Sequence, residues 1–298
     1  STEGLPVAPA GDPRLTLDQW RAVLSEPEGL SDSGDATVVS DSASARVVRR
    51  NLRLGDQALD VHIKRARPGR WWRGLARCLA PGRAVRAFRQ GHGLLARRIG
   101  TVLPLAALER RVGPFVVDQV LITLTAPGER LDRFLARHLS PSGARPPRNG
   151  AEPTLDRGQQ RRLAQEVLWQ LGRMLQRLHD NRWAHRDLKS SNMIVQWTKG
   201  QSPEIVLADL DGVRQVRRVT SRQRFQGLMR LNVSLLRNTA VTHAGRLRML
   251  LGYLRRPGAG RLNFKPYWRV VERWSSRKLD QHLQTQRRRQ RATRRPGP

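Results

Sequence analysis

Apolar and polar positions along this chain change rhythm several times, and each change marks an element. Residues 1–35 are punctuated by proline and read as a leader or linker, with helical spacing only at Leu17–Leu24. From Ala36 the rhythm is strand-like. Ala36–Val39 is apolar, Ser40–Ser44 is a loop of small residues around Asp41, and Ala45–Leu54 resumes the strand pattern. A Gly55-Asp56 turn leads into Ala58–Lys64, so three successive strands predict an antiparallel meander. Helical spacing returns at Val85, Phe88 and Leu94-Leu95 within the Arg-rich residues 65–114. Phe115–Leu124 is a strong strand run, and Ala126-Pro127-Gly128 turns into a short helix at Leu131–Leu139. The four prolines and two glycines of residues 140–153 leave no periodicity, which marks a surface loop or insertion.

From Thr154, an N-cap candidate, Leu163, Val167, Leu171, Met174, Leu175 and Leu178 recur at the spacing of one long helix. Asn192–Trp197 and Glu204–Ala208 form a hairpin about the turn set Thr198–Pro203. After Gly212 the chain is helical and basic to its end, where Arg287–Arg295 reads as disordered or as an electrostatic tether. The pattern predicts an α+β chain. A small sheet lobe with one helix covers residues 36–125, a mainly helical lobe covers 126–280, and a basic tail covers 281–298.

Composition narrows this picture. At 298 residues and 38% hydrophobic the chain can bury a core, which excludes a wholly disordered or collagen-like protein. Cys78 is the only cysteine, so neither an intrachain disulfide framework nor a Cys-based zinc site is open to it. No apolar run reaches the ~20 residues that span a bilayer, and no secretory apolar stretch follows Ser1. A reducing, cytoplasmic compartment is expected. Charge says more: 56 Lys+Arg against 24 Asp+Glu leave a net +32. Only Lys64, Lys189, Lys199, Lys265 and Lys278 are lysines; the other 51 cations are arginines. Such a field attracts nucleic acid, an anionic membrane face or an acidic glycan, and charge alone does not choose among them.

The chemistry is concentrated in His185-Arg186-Asp187-Leu188-Lys189-Ser190-Ser191-Asn192, followed after the hairpin by Ala208-Asp209-Leu210-Asp211-Gly212. An acid, a lysine two residues on and an asparagine five residues on are what phosphoryl transfer to a hydroxyl requires. Asp187 accepts the hydroxyl proton, Lys189 steadies the moving phosphoryl group, and Asn192 holds a metal ion. Asp209, at the end of the next strand, supplies the second metal carboxylate for Mg²⁺ on the β- and γ-phosphates of ATP. The stretch matches the kinase catalytic loop H-R-D-L-K-x-x-N at every fixed position. Upstream, Val61-His62-Ile63-Lys64 places a lysine at a strand end, where kinases pair one with the α/β-phosphates.

These residues, with Asp209–Arg214 and Arg230-Leu231-Asn232-Val233-Ser234-Leu235, resemble the lipopolysaccharide core kinases, the bacterial heptose and Kdo kinases of the WaaP/KdkA group. The resemblance spans roughly residues 36–255. It implies a two-lobed protein-kinase-like fold, with a small antiparallel β-sheet N-lobe and a helical C-lobe. It also implies ATP with Mg²⁺, and phosphate placed on an inner-core sugar at the cytoplasmic face of the inner membrane. Carried over by position, Lys64 binds phosphates, Asp187 is the base, and Asn192 and Asp209 hold the metal. Asp211 falls where protein kinases have glycine.

Two features depart from the kinase pattern. There is no G-x-G-x-x-G; Ser40–Ser44 occupies that slot, with Ser42 and Ser44 as candidate phosphate contacts and Asp41 opposing them. Residues 65–108 contain no Asp or Glu to pair with Lys64, leaving Gln90 or His92 as stand-ins and Glu109 late in the chain. Weaker signals surround the site. Arg70-Trp71-Trp72-Arg73 suits a membrane interface or lobe packing. Arg214, Arg217, Arg218, Arg222 and Arg224 follow the metal carboxylate, where a substrate's phosphates or carboxylates are expected.

The reading is an ATP- and Mg²⁺-dependent kinase, peripheral on an anionic membrane, whose partner is an acidic lipid-anchored glycan rather than nucleic acid. A small serine/threonine protein kinase is the first rival, though no Ala-Pro-Glu follows Gly212. A catalytically weak polyanion-binding pseudokinase is the second. Nothing in the sequence sets an oligomeric state.

Overall fold

The computed structural model describes residues 17–25, 29–32, 36–54, 57–67, 80–139, 155–256 and 263–293. It comprises two units: the chain up to Arg89 with Leu103–Thr125, and Gln90–Val102 with the chain from Ala126 onward. The Trp71-Trp72 segment and Cys78 lie outside the described residues.

The first unit holds α1 (Leu17–Leu24), α2 (Gly29–Asp32), β1 (Thr37–Asp41), β2 (Ala45–Leu54), β3 (Gln57–Ala66), β4 (Pro104–Val112) and β5 (Phe115–Leu124). It also holds the start of α3 (Arg83–Leu95). The strands make one antiparallel sheet in the order β1-β2-β3-β5-β4. Side chains alternate across a strand, so Val48, Leu52, Leu54, Val61, Ile63, Val120 and Ile122 gather into one buried cluster. Leu30, only 3% exposed, closes that cluster, and Trp20 and Leu24 pack against it. The helix expected at Leu17–Leu24 and the helix Gly29–Asp32, in the stretch otherwise read as leader or linker, thus pack against this sheet. Each fully buried aliphatic side chain of this kind contributes about 1.5–3 kcal/mol.

The edge strand β4 has no counterpart in the sequence reading. Its outer half is Glu109-Arg110-Arg111, which hides the alternation. Glu109 acts on α3: its Oε2 accepts the Gly82 N–H at 2.6 Å, and Gln119 Oε1 accepts the Ala84 N–H at 3.1 Å. Two strand side chains thus satisfy amides that the first turn of α3 leaves open.

The second unit begins its helices with α4 (Leu131–Leu139) and α5 (Arg157–Asp180), after the short strand β6 (Glu129–Arg130). The strands β7 (Trp183–His185), β8 (Met193–Gln196), β9 (Glu204–Leu207) and β10 (Val213–Gln215) follow. The unit ends in α6 (Ser221–Leu236), α7 (His243–Leu254) and α8 (Lys265–Thr293). The N-cap of α5 is Asp156 rather than Thr154, because Asp156 stands three residues before Gln159 and completes a reciprocal capping box with it. The apolar stripe expected for α5 is buried, with Val167, Leu171, Leu175 and Leu178 at 0% exposure. Helices α5 and α7 meet backbone to backbone at Gly172 and Gly252. A Cβ on Gly172 would lie 2.6 Å from Tyr253 N. Of the basic tail, read from the sequence as disordered or as an electrostatic tether, the described part continues α8 to Thr293, in keeping with the helix propensity of Arg, Gln and Ala.

Candidate active site

The hairpin β8–β9 sets the first two positions. Its register pairs Met193 with Leu207, and the Ala208 N–H donates to Asn192 O at 2.9 Å, so Asn192 and Asp209 emerge side by side where the pairing ends. On the other flank, β7 pairs with β10, and the Arg186 N–H donates to Gly212 O at 2.9 Å. The loop between His185 and Asn192 is therefore held at both ends.

His185 ties those ends together. Its Nε2–H donates to Asp209 O at 3.0 Å, while Nδ1 accepts the Asp187 N–H at 3.0 Å. That arrangement demands a neutral ring with its proton on Nε2. Burial, at 4% exposure, pushes the imidazole pKa below its ordinary value, which keeps the ring neutral. His185 is a brace and not a proton carrier. Gly212 lies against this ring: an added Cβ would be 2.8 Å from Nδ1 and 3.0 Å from Nε2, so the Asp-Leu-Asp-Gly turn has no room for a side chain there.

Leu188 is buried at 1% exposure and anchors the middle of the loop, leaving its neighbours Asp187 and Lys189 at the surface. Lys189 Nζ lies 2.9 Å from Asp187 Oδ2, and Asn192 Nδ2 donates to Asp187 O at 3.2 Å. Helix α6 pins the far side, where Ser234 Oγ accepts the Ser190 N–H and lies 2.7 Å from Ser190 Oγ. Asp209 Oδ1 accepts the Asp211 N–H at 3.3 Å. Asp187, Lys189 and Asn192 are thus in direct contact, and Asp209 joins them through His185 and the strand ends.

The donor set suits a hard divalent cation. With its amide nitrogen turned to Asp187 O, Asn192 leaves its amide oxygen available as a candidate ligand, one residue from the strand pairing that Asp209 follows. Among the described residues no three His, Cys, Asp or Glu side chains cluster as a self-sufficient metal site.

Lys64, Ser42 and Ser44 belong to the first unit. Lys64 sits in β3 between Val47 of β2 and Leu121 of β5, alternating with the buried Ile63. The β1–β2 turn is closed on itself: the Ser44 and Ala45 N–H groups donate to Ser42 Oγ, and the Ser42 N–H donates to Ala45 O. Asp41, expected to oppose phosphates, is paired with Arg67 at 2.6 Å.

Two cavities of similar size in the second unit are lined by basic residues. Arg214, Arg217, Arg218 and Arg224 line one of about 820 Å³, beside the buried His179. The other, about 780 Å³, contains Asp187 and Lys189 and is rimmed by Arg230, Arg237, Lys278 and His282. Of the basic run expected near the substrate, Arg214, Arg217, Arg218 and Arg224 thus line a different cavity from the one that contains Asp187. The residues at the base come from α6 and α8, and only tertiary packing brings them there. Within the segment 230–235, Arg230 faces this cavity and Ser234 holds the loop. Asn232, wholly buried, donates to Ser275 Oγ of α8 at 2.9 Å and accepts from Arg246 of α7 at 3.3 Å.

Comparison with solved structures places this architecture among the kinase-like folds. The structure of WaaP in complex with acyl carrier protein superposes with a TM-score of 0.59 at 18% identity, over 86% of this chain and 92% of that one. No curated protein sequence matches the chain. The family model for the lipopolysaccharide kinase (Kdo/WaaP) family matches residues 40–253, and the chain belongs to that family. It is a phosphotransferase of lipopolysaccharide biosynthesis.

Proposed function

We propose that this protein transfers the γ-phosphate of ATP to a heptose or Kdo hydroxyl of the lipopolysaccharide inner core. The observation that carries the reading is the bonded set Asp187–Lys189–Asn192, held beside Asp209 by the buried His185. Asp187 orients the acceptor hydroxyl and takes its proton. The sugar oxygen forms a bond to the γ-phosphorus as the bond to the β,γ-bridging oxygen breaks, and ADP leaves. Lys189 meets the charge spreading over the transferred group, and Lys64 is assigned to the α/β-phosphates. Asn192 and Asp209 are assigned to Mg²⁺, which when bound neutralises phosphate charge. For Ser42 and Ser44 the closed turn offers little support as a phosphate cradle without reorganisation.

The substrate is anchored in lipid, and no helix among the described residues is long and apolar enough to cross a membrane. The proposed attachment is peripheral, at the cytoplasmic face, and the +32 charge supports it. The similar structure bound to acyl carrier protein makes an acyl carrier protein a second candidate partner.

Labelled ATP with Mg²⁺, offered together with dephosphorylated lipopolysaccharide, a generic protein and nucleic acid, tests the reading. Label is expected in the lipopolysaccharide. Label in the protein pool favours a protein kinase, and label in none favours a pseudokinase. Asp187→Ala is expected to lower transfer by about 10²–10⁴-fold while nucleotide binding persists. Equal turnover by that variant removes Asp187 from the base role.

A further inference from the structure

The cavity around Asp187 carries more positive charge than the transferred phosphoryl group requires. Its acids are already matched: Lys189 lies 2.9 Å from Asp187, and Arg130 holds Asp132 through two hydrogen bonds of 3.1 and 2.7 Å. Arg230 of α6 and Lys278 of α8 stand half-buried on the rim, with no carboxylate partner among the described residues. Arg237 has no carboxylate partner among the described residues either. Its Nη2 lies 2.7 Å from His282 Nδ1, which must accept from the guanidinium and so belongs to a neutral ring. Burial, Lys278 and Arg237 all push the His282 pKa below its ordinary value, the sign expected beside surplus positive charge.

In a chain of 56 cations and 24 acids, an unmatched arginine on a convex surface carries little meaning. Here, however, Arg230 and Lys278 are half-buried, drawn from two helices, and share a cavity with the residue proposed to receive the acceptor hydroxyl. Keeping a guanidinium and an ammonium half-desolvated without a counter-charge is unfavourable, and an incoming oxyanion relieves it.

We propose that Arg230 and Lys278, flanked by Arg237 and His282, form an oxyanion subsite that grips a carboxylate or phosphate already present on the acceptor glycan. Phosphate is then added to a hydroxyl near an existing negative charge. The reaction that supplies the substrate must therefore be one that installs an acidic sugar or a phosphate ester. The assignment rests on the kinase reading for its acceptor, and the subsite is testable without turnover.

The test uses the full chain and one core oligosaccharide in three forms: carboxylates intact, carboxylates reduced to alcohols, and reduced but carrying phosphate. In calorimetric titrations the wild type is expected to bind an anionic form roughly tenfold or more tighter than the neutral form, through charge-assisted hydrogen bonds. Which anionic form is preferred identifies carboxylate or phosphate as the ligand. Equal affinity for all three overturns the proposal, and that comparison needs no variant. The double variant Arg230→Gln/Lys278→Gln is expected to bind the three forms alike, and Arg230→Lys/Lys278→Arg to keep most of the preference. A full preference in the Gln variant overturns the subsite. Turnover separates the two readings: preference without transfer supports the subsite and removes the kinase reading, whereas transfer without preference does the reverse. Where transfer occurs, the Gln variant is expected to raise the acceptor KM about 10- to 100-fold, with kcat changed less than about threefold.

Discussion

At the scale of single residues, the site depends on one neutral imidazole. His185 reaches the carbonyl of Asp209 with one nitrogen and the amide of Asp187 with the other, so it sets the spacing between the candidate base and the candidate metal ligand. Gly212 makes room for that ring, which yields a direct test. Gly212→Ala is expected to displace the ring and lower kcat by about 100-fold, the cost of misplacing a catalytic group by about an ångström. Nucleotide affinity should change little, as measured by calorimetry; normal turnover in the variant would remove the brace. Asp187, Lys189, Asn192 and Asp209 could be singled out in the sequence as candidates because kinase chemistry calls for their types and spacing along one short segment. The grouping of Arg230 with Lys278 and His282 could not, because up to 52 positions separate them and they converge only through packing. Glu109 was legible as an acid but not in its role, since its partner Gly82 lies 27 residues away.

At the scale of elements, strong periodicity translated faithfully. Phe115–Leu124 and Leu131–Leu139 form over the residues their patterns predict. The elements that escaped were short or charged. β7 and β10 have three residues each, too few to display a period, and β4 ends in a charged run. What the pattern could not convey at all is how closely α5 and α7 approach. Gly172 and Gly252 let the two backbones touch, and the crossing supports α5, whose C-terminal end leads into β7 and the catalytic loop. Gly172→Ala is expected to overpack the crossing and destabilise the protein by roughly 1–3 kcal/mol. In a thermal melt this corresponds to about 2–4 °C for each kcal/mol in a domain of this size. An unchanged Tm would show that the helices can separate without cost.

At the scale of the whole molecule, charge dominates. A net +32 concentrates polyanions near the protein, and the sequence from Arg287 onward is dense in arginine. Removing residues 287–298 is expected to weaken sedimentation with phosphatidylglycerol vesicles, by up to about 1 kcal/mol for each arginine that reaches the surface. The loss should shrink as salt rises past ~0.15 M, where the Debye length is about 8 Å. Identical sedimentation of the shortened and full chains at low salt would exclude the tail as a membrane contact. The small unit carries a different consequence. The family model matches from residue 40, yet the apolar side of the sheet is sealed by Trp20, Leu24 and Leu30, which precede that point. The matched span is thus narrower than what folds together. A boundary drawn at residue 40 would cut through a hydrophobic seam and leave Val48, Leu52 and Val61 facing water.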